Sequence, residues 1–274
     1  MTLLPDARTT RLVEKAEAEY FRRFLARVPE RTERDLGIRT EEIGGGVVTA
    51  MRDDPSGYWT KALGFGPGDP VDADLIGEIV EVFRSSGKEE GTITIAPSAL
   101  PRDWDETSRR FGLTPSSAWA KFARSTTAFA EHPEPPADLE VRTLVADDAP
   151  AWQHIVREAF GMAEPDLTPM LRSAITDPVA RVIGVWDGDL LVGAGAVHLI
   201  GEAASLNTGG TLPSHRRRGI QRTLVAARVQ AAADAGCRVV SAETSASPDD
   251  ASHRNLRRAG FAHLYDRTNW TWRA

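Results

Sequence analysis

TLPSHRRRGIQRTL, residues 211–224, leaves a segment with strand character (Ala203–Leu212), turns through Pro213 and three consecutive arginines, and passes Gly219 into an alanine-rich helix. Helices normally open on Ser, Thr, Asp or Asn, which satisfy the orphan N–H groups, and carry acids in the first turn. Here the opening turn is flanked by Arg216, Arg217, Arg218 and Arg222, with no acid. Positive side chains at the positive end of a helix dipole are unfavourable unless an anion completes the site. Gly219, lacking a Cβ, lets the backbone approach such an anion closely. Two readings stand side by side: a cradle for a phosphorylated ligand, or an exposed basic loop.

Outward from this stretch the pattern is regular. The helix Gly219–Ala235 presents Ile220, Leu224, Ala227 and Ala231 to a sheet and Arg228, Gln230 and Asp234 to water, and Gly236 closes it. A strand, Arg238–Thr244, and a helix ending in Arg258-Ala-Gly260-Phe261 follow. Upstream, Val179–Trp186 and Leu190–Leu199 flank Asp187-Gly-Asp189, a hairpin signal. Before them come a strand, Leu139–Thr143, a helix, Asp147–Phe160, and a looser helical region, Phe160–Leu171, whose Met162 and Met170 serve either core packing or an apolar ligand.

Pro213-Ser-His-Arg216-Arg-Arg-Gly219-Ile-Gln221, between that strand and helix, resembles motif A of the GNAT N-acetyltransferases, Arg/Gln-x-x-Gly-x-Gly/Ala. Arg216 and Gly219 fall on the first and fourth positions; Gln221 departs from the usual Gly or Ala. The resemblance covers Leu139–Ala274 well and the first half faintly. It implies a mixed α/β (α+β) fold of two tandem GNAT-like acyl-CoA N-acyltransferase domains, each a mainly antiparallel sheet flanked by helices. The expected division is a degenerate copy over residues 1–130, a proline-rich linker at 131–138, and an acetyl-CoA-binding domain over 139–274.

The activity so implied is direct transfer of an acetyl group from acetyl-CoA to a primary amine, with acetyl-CoA as co-substrate and no metal. By resemblance, the backbone of Gly210, Thr211 and Leu212 lines pantetheine and supplies an N–H for the developing oxyanion, while Arg217–Thr223 (with Gly219, Ile220, Gln221 and Arg222) wraps the pyrophosphate. Arg216, Arg217 and Arg218 side chains either reach phosphate or are solvated. Ser252 and Asn255 either bond pantetheine amides or are ordinary helix-surface polarity. An attacking amine must lose its proton, so a base is required. Glu243, a lone carboxylate at the end of an apolar strand, is either that base, a substrate anchor or a structural ion pair; His198 and Glu202 are weaker candidates. The family's tyrosine acid, four residues before the Gly of Gly260-Phe261, is replaced by Leu256, and Tyr265 on the following strand is the substitute considered. Without that tyrosine an acyl-CoA sensor or structural protein on the same scaffold is the competing reading.

The first half echoes the second. Thr9–Arg27 reads as an amphipathic helix, Val47–Arg52 and Tyr58–Leu63 as a hairpin, Val71–Ser86 as a helix and Thr92–Ala96 as a strand. Arg109-Arg-Phe-Gly112-Leu113 then parallels Arg257-Arg-Ala-Gly260-Phe261, each glycine placed as a helix C-cap. Asp72 and Asp74 open the Val71–Ser86 helix and would repel a phosphate, so this half has no cradle. Gly64-Phe-Gly66-Pro-Gly68 lacks the Walker lysine, which disposes of a nucleotide loop. With 274 residues, 41% apolar and 26% charged, the chain has ordinary globular composition, and a net charge of −6 argues against a nucleic-acid partner. Cys237, the one cysteine, excludes a disulfide within the chain. No apolar run approaches the ~20 residues of a membrane span, and the N-terminus has no signal-peptide pattern, so a cytoplasmic protein is expected; the family resemblance implies a small-molecule amine as its acceptor. A homodimer through the Trp270–Trp272 strand is a further option.

Overall fold

The apolar stripe of the first helix, α1 (Ala7–Ala26), begins after an Asp6 cap that accepts from the Thr9 N–H. The structure, a computed structural model, describes residues 6–54, 56–127, 136–162 and 166–274. Residues 131–135 of the expected linker lie outside the described residues. After α1 come α2 (Glu30–Leu36), the strands β1 (Ile38–Ile43), β2 (Gly46–Met51) and β3 (Lys61–Phe65), α3 (Ala73–Ser85), β4 (Glu90–Ile95), α4 (Trp104–Arg110) and β5 (Thr114–Ser125). The remainder is β6 (Glu140–Thr143), α5 (Ala149–Phe160), α6 (Thr168–Ile175), β7 (Ala180–Asp187), β8 (Leu190–Ile200), β9 (Ala203–Thr211), α7 (Ile220–Asp234), β10 (Val239–Ser245), α8 (Ala251–Arg258) and β11 (Ala262–Arg273).

The pattern β1-β2-β3-α3-β4-α4-β5 recurs as β7-β8-β9-α7-β10-α8-β11. In each, two antiparallel hairpins lead to a parallel pair, β3 with β4 and β9 with β10, bridged by one helix. Gly112 and Gly260 both take positive φ after their helices, and their N–H groups return to Arg109 and Arg257. Only a residue free of a Cβ enters that conformation at little cost.

The sheets are not separate. All eleven strands form one sheet in the order β1-β2-β3-β4-β11-β5-β10-β9-β8-β7-β6. The last strand of each sequence half has crossed to the other: β5 pairs antiparallel with β10 from Ser125↔Val239 to Trp119↔Ser245, and β11 pairs with β4. β5 and β11 then pair with each other. Both edges of β11 are therefore occupied, and Trp272 packs on Phe83 inside the core, so this strand has no edge to offer a second copy.

α7 and α8 cover one face of the second half's sheet, where Val225, Val229 and Leu256 pack on Val240, Ala242 and Phe122. α1 covers the other face, with Val13 against Val239 and Ala123. The sequence placed Arg228 in water, but it is buried against the sheet. Gly195 and Gly209 leave the hollow it fills: a Cβ on Gly195 would fall 2.7 Å from its Nη1. Helical periodicity reports on one element, whereas this hollow is made by two glycines on others.

Candidate active site

The ladder between β9 and β10 runs only from Ala203↔Val239 to Leu206↔Ala242. Beyond it β9 stays with β8 as far as Thr211, while β10 stays with β5 as far as Ser245, so the two parallel strands part. A bulge helps them do so. The β8–β9 register slips between Ala194 and Ala196, and Thr208 takes φ 48°. Arg228 reaches this bulge from below, donating to the carbonyl oxygens of Asn207 (3.4 Å) and Ala196 (3.3 Å).

At the end of the gap α7 begins without a side-chain cap, on Gly219 at φ 82°. By contrast α3, its counterpart, is capped by Asp72, which accepts from the Leu75 N–H at 2.9 Å. The orphan N–H groups of α7's first turn, on Ile220, Gln221 and Arg222, are thus left for an outside acceptor. Arg216, Arg217 and Arg222 are exposed and form no ion pair among the described residues. Arg218 is different: it bonds Asp187 at 2.8 Å and Asp138 at 2.5 Å, fastening the loop to the β7–β8 hairpin. Gln221 folds back and donates to Thr211 Oγ1 at 2.8 Å, so its extra bulk lies along the strand. Thr223 is buried in the helix face and its N–H returns to Gly219 O. Asn255 is half-buried on α8, and Ser252 is exposed, its N–H taken by the Asp250 cap.

Of the three backbone positions expected to face the ligand, Gly210 and Thr211 border the gap. The Leu212 N–H is already spent on Val192 O at 2.9 Å. Successive strand N–H groups point to opposite edges, so that of Thr211 turns toward the gap. The residues fit a phosphorylated thioester: a parted strand pair for its arm, and an uncapped, arginine-flanked helix start for its phosphates.

Glu243 stands one residue past the last β9–β10 pair, on the α1 face. It belongs to a buried ionic cluster that the sequence did not reveal. Arg267 on β11 bonds Glu14 (2.5 Å), Glu17 (2.7 Å) and Glu243 (2.6 Å). Lys121 on β5 joins the same acids, at 2.6 Å from Glu17 and 3.4 Å from Glu243. Lys61 on β3 completes it, 4.0 Å from Glu243. Burial pushes the Glu243 carboxyl above its usual range against the pull of Arg267 and Lys121. Although burial opposes it, the charges of Arg267 and Lys121 hold Glu17 well below. The Tyr265 hydroxyl donates to Glu14 at 2.8 Å, and burial with that carboxylate beside it raises its pKa. It therefore lies in the cluster on the α1 face, its hydroxyl engaged by Glu14.

The remaining candidates lie elsewhere. His198 is fully buried, its ring tilted against that of Tyr20 at 4.8 Å, and burial takes its pKa down to about 4. Glu202, at the β8–β9 turn, pairs with Arg8 at 2.9 Å on the surface. A depression of about 350 Å³ between α8 and β11, lined by His253, Arg257, His263 and Asp266 among others, contains no sequence-predicted site residue.

Residues 148–261, which span the parted strands, α7 and α8, match the model of the acetyltransferase (GNAT) family. The chain carries a GNAT acetyltransferase domain. The fold of the whole chain is also a GNAT fold. A GCN5-related N-acetyltransferase from Kribbella flavida superposes with TM-score 0.66 at 18% identity, over 99% of this chain and 96% of that one. A tandem GNAT protein from the clavulanic acid biosynthesis pathway gives TM-score 0.58 at 18% identity, over 84% and 80%. A GCN5-related N-acetyltransferase from Sphaerobacter thermophilus gives 0.55 at 21% identity, over 72% and 65%. At these identities the likeness is one of fold. No curated protein matches the sequence. GNAT enzymes use acetyl-CoA, and among the described residues no helix is long and apolar enough to cross a membrane.

Proposed function

We infer that the chain is an N-acetyltransferase that moves the acetyl group of acetyl-CoA to a primary amine on a small molecule, and that it is built as two GNAT-like units of which the second, residues 139–274, binds acetyl-CoA. The observation that carries this is the coincidence of parted β9 and β10 strands with the uncapped start of α7. The N–H groups of residues 219–222, with Arg216 and Arg217, hold the diphosphate. Gly210, Thr211, Asn255 and Ser252 border the arm, and the Thr211 N–H meets the thioester oxygen.

Acetyl-CoA supplies an activated acyl group: the new N–C bond replaces the C–S bond, one proton of the ammonium passes to a base, and a second ends on the released thiol. Glu243 is that base. Its carboxyl, raised by burial, lies where the strands separate and on the face opposite the α7 cradle, so the amine approaches from the α1 side through the gap.

Calorimetric titration of acetyl-CoA into the wild-type protein and a Gly219→Glu variant tests the reading. Glutamate there is strained at positive φ and brings negative charge to the cradle. One-to-one binding that the variant loses, with thiol release on adding an amine, supports it. Binding indifferent to the variant would sink the cradle, and binding without thiol release for any amine would leave an acyl-CoA sensor.

A further inference from the structure

We propose that the acceptor is an amino acid, carrying a free carboxylate next to its primary amine, and that Lys61 grips the carboxylate while Glu243 takes the ammonium; this rests on the acetyltransferase reading above. The cluster at the junction of the two halves contains three acids, Glu14, Glu17 and Glu243, and three cations, Lys61, Lys121 and Arg267. Five of the six hydrogen-bond one another, although Arg267 Nε has no partner among the described residues and only one oxygen of Glu243 is engaged. Lys61 is the exception. Its ammonium makes no hydrogen bond among the described residues, and its only ion-pair partner there is Glu243 at 4.0 Å, beyond hydrogen-bond range. Yet Lys61 is 3% exposed. An ammonium on so little exposed a side chain, with no acceptor for its three donors among the described residues, is open to an oxygen acceptor brought in from solvent.

The surroundings say what brings that oxygen. Lys61 Nζ lies over the rings of Tyr58 (5.3 Å), Phe21 (5.4 Å) and Trp119 (5.7 Å). Tyr58, Trp119, Glu243 and Ser245 are half-buried, so this is the side of the cluster that meets solvent. It is also the side on which β10 leaves β9. A simple ammonium entering here would add an uncompensated positive charge to a balanced, buried set. An amino acid adds none, since its two charges cancel. Lys61 and Glu243 converge within one ion-pair distance, so the ligand's two charged groups must be close together, as they are on a single α-carbon. The Tyr58 and Trp119 rings offer flat apolar surface to its side chain. The first half thereby furnishes Lys61, Tyr58 and Trp119 to a site whose cradle lies in the second.

The test is steady-state acetylation of L-leucine, L-methionine and L-phenylalanine, each against its carboxamide, by wild-type protein and Lys61→Met, with acetyl-CoA calorimetry on both. The expected result is a KM at least tenfold lower for the amino acids than for the amides in wild type. In Lys61→Met that preference disappears through the amino-acid KM alone, while acetyl-CoA affinity is kept. Equal use of acids and amides by wild type, or a variant that loses both alike, would overturn the assignment. Acetyl-CoA binding with no amino acid acetylated overturns the acceptor class and leaves the cofactor reading intact; no acetyl-CoA binding overturns both. Should Lys61→Met fail to fold, the acid-against-amide comparison in wild type decides alone.

Discussion

Arg228 sits under the β9 bulge with no acid beside it among the described residues; its guanidinium bonds only carbonyl oxygens, those of Leu224, Ala196 and Asn207. Burial takes its pKa down to about 10, which still leaves it charged at neutral pH. Gly195→Ala would drive a methyl group into this guanidinium, and overpacking of that kind costs roughly 1–3 kcal/mol. Chemical denaturation should show that loss, and acetyl-CoA affinity should fall with it because the bulge loses its support. His198 supplies a pH signature. Its pKa is depressed in the folded protein to about 4 from 6.5, so the unfolded chain binds a proton that the folded chain refuses. Stability is therefore complete above pH ~6.5 and declines as pH falls to ~4, by about 3 kcal/mol. Thermal melts of wild type and His198→Gln across this range should converge at low pH; parallel curves would refute the assignment. Neither residue was legible. A histidine at a strand end and an arginine on a helix look solvated until the elements packed on them are known.

The α7 start was the most legible element, because its oddity is local: arginines where acids belong, glycine where a cap belongs. Which arginine does what was not. Arg218 is spent on Asp138 and Asp187, one of which lies far away in sequence. Arg217 carries a cost the sequence does not display, a left-handed backbone at φ 65°. Non-glycine residues pay about 1–2 kcal/mol there. Arg217→Gly should therefore raise the unfolding free energy by about 1 kcal/mol. The same variant should weaken acetyl-CoA binding several-fold through the lost charge. A variant that is more stable yet binds undiminished would show that Arg217 is strained without serving the cradle. The counterpart α3 shows what the same scaffold does when no anion is to be held: Asp72 caps it.

At the scale of the molecule, periodicity and the paired Arg-Arg-x-Gly phrases disclosed the repeat of elements but not how its two copies join. Strand exchange depends on pairing partners far apart in sequence, and alternation within β5 or β11 is the same whichever neighbour each strand takes. Glu14 and Glu17 look like the polar side of α1, yet both are buried because the other half brings Arg267 to them. The junction is held again at the far end of α1, where Arg23 grips Asp177 with bonds of 2.9 and 2.7 Å. The halves are consequently interdependent. Removing residues 1–138 would strip β5 from the β10 edge and leave Arg267 and Glu243 without Glu14, Glu17 and Lys121. Residues 139–274 alone should then fail to give a cooperative melt, whereas a soluble, acetyl-CoA-binding fragment would contradict this. Arg267→Met asks the same question in the full chain. It leaves three buried carboxylates to two lysines, and breaking a buried pair in this way costs about 3–5 kcal/mol. Because the cluster bridges both halves, the loss should appear as one cooperative transition at lower denaturant, not as the early melting of one half. Two separated transitions would mean that the halves fold independently and that the exchanged strands merely dock.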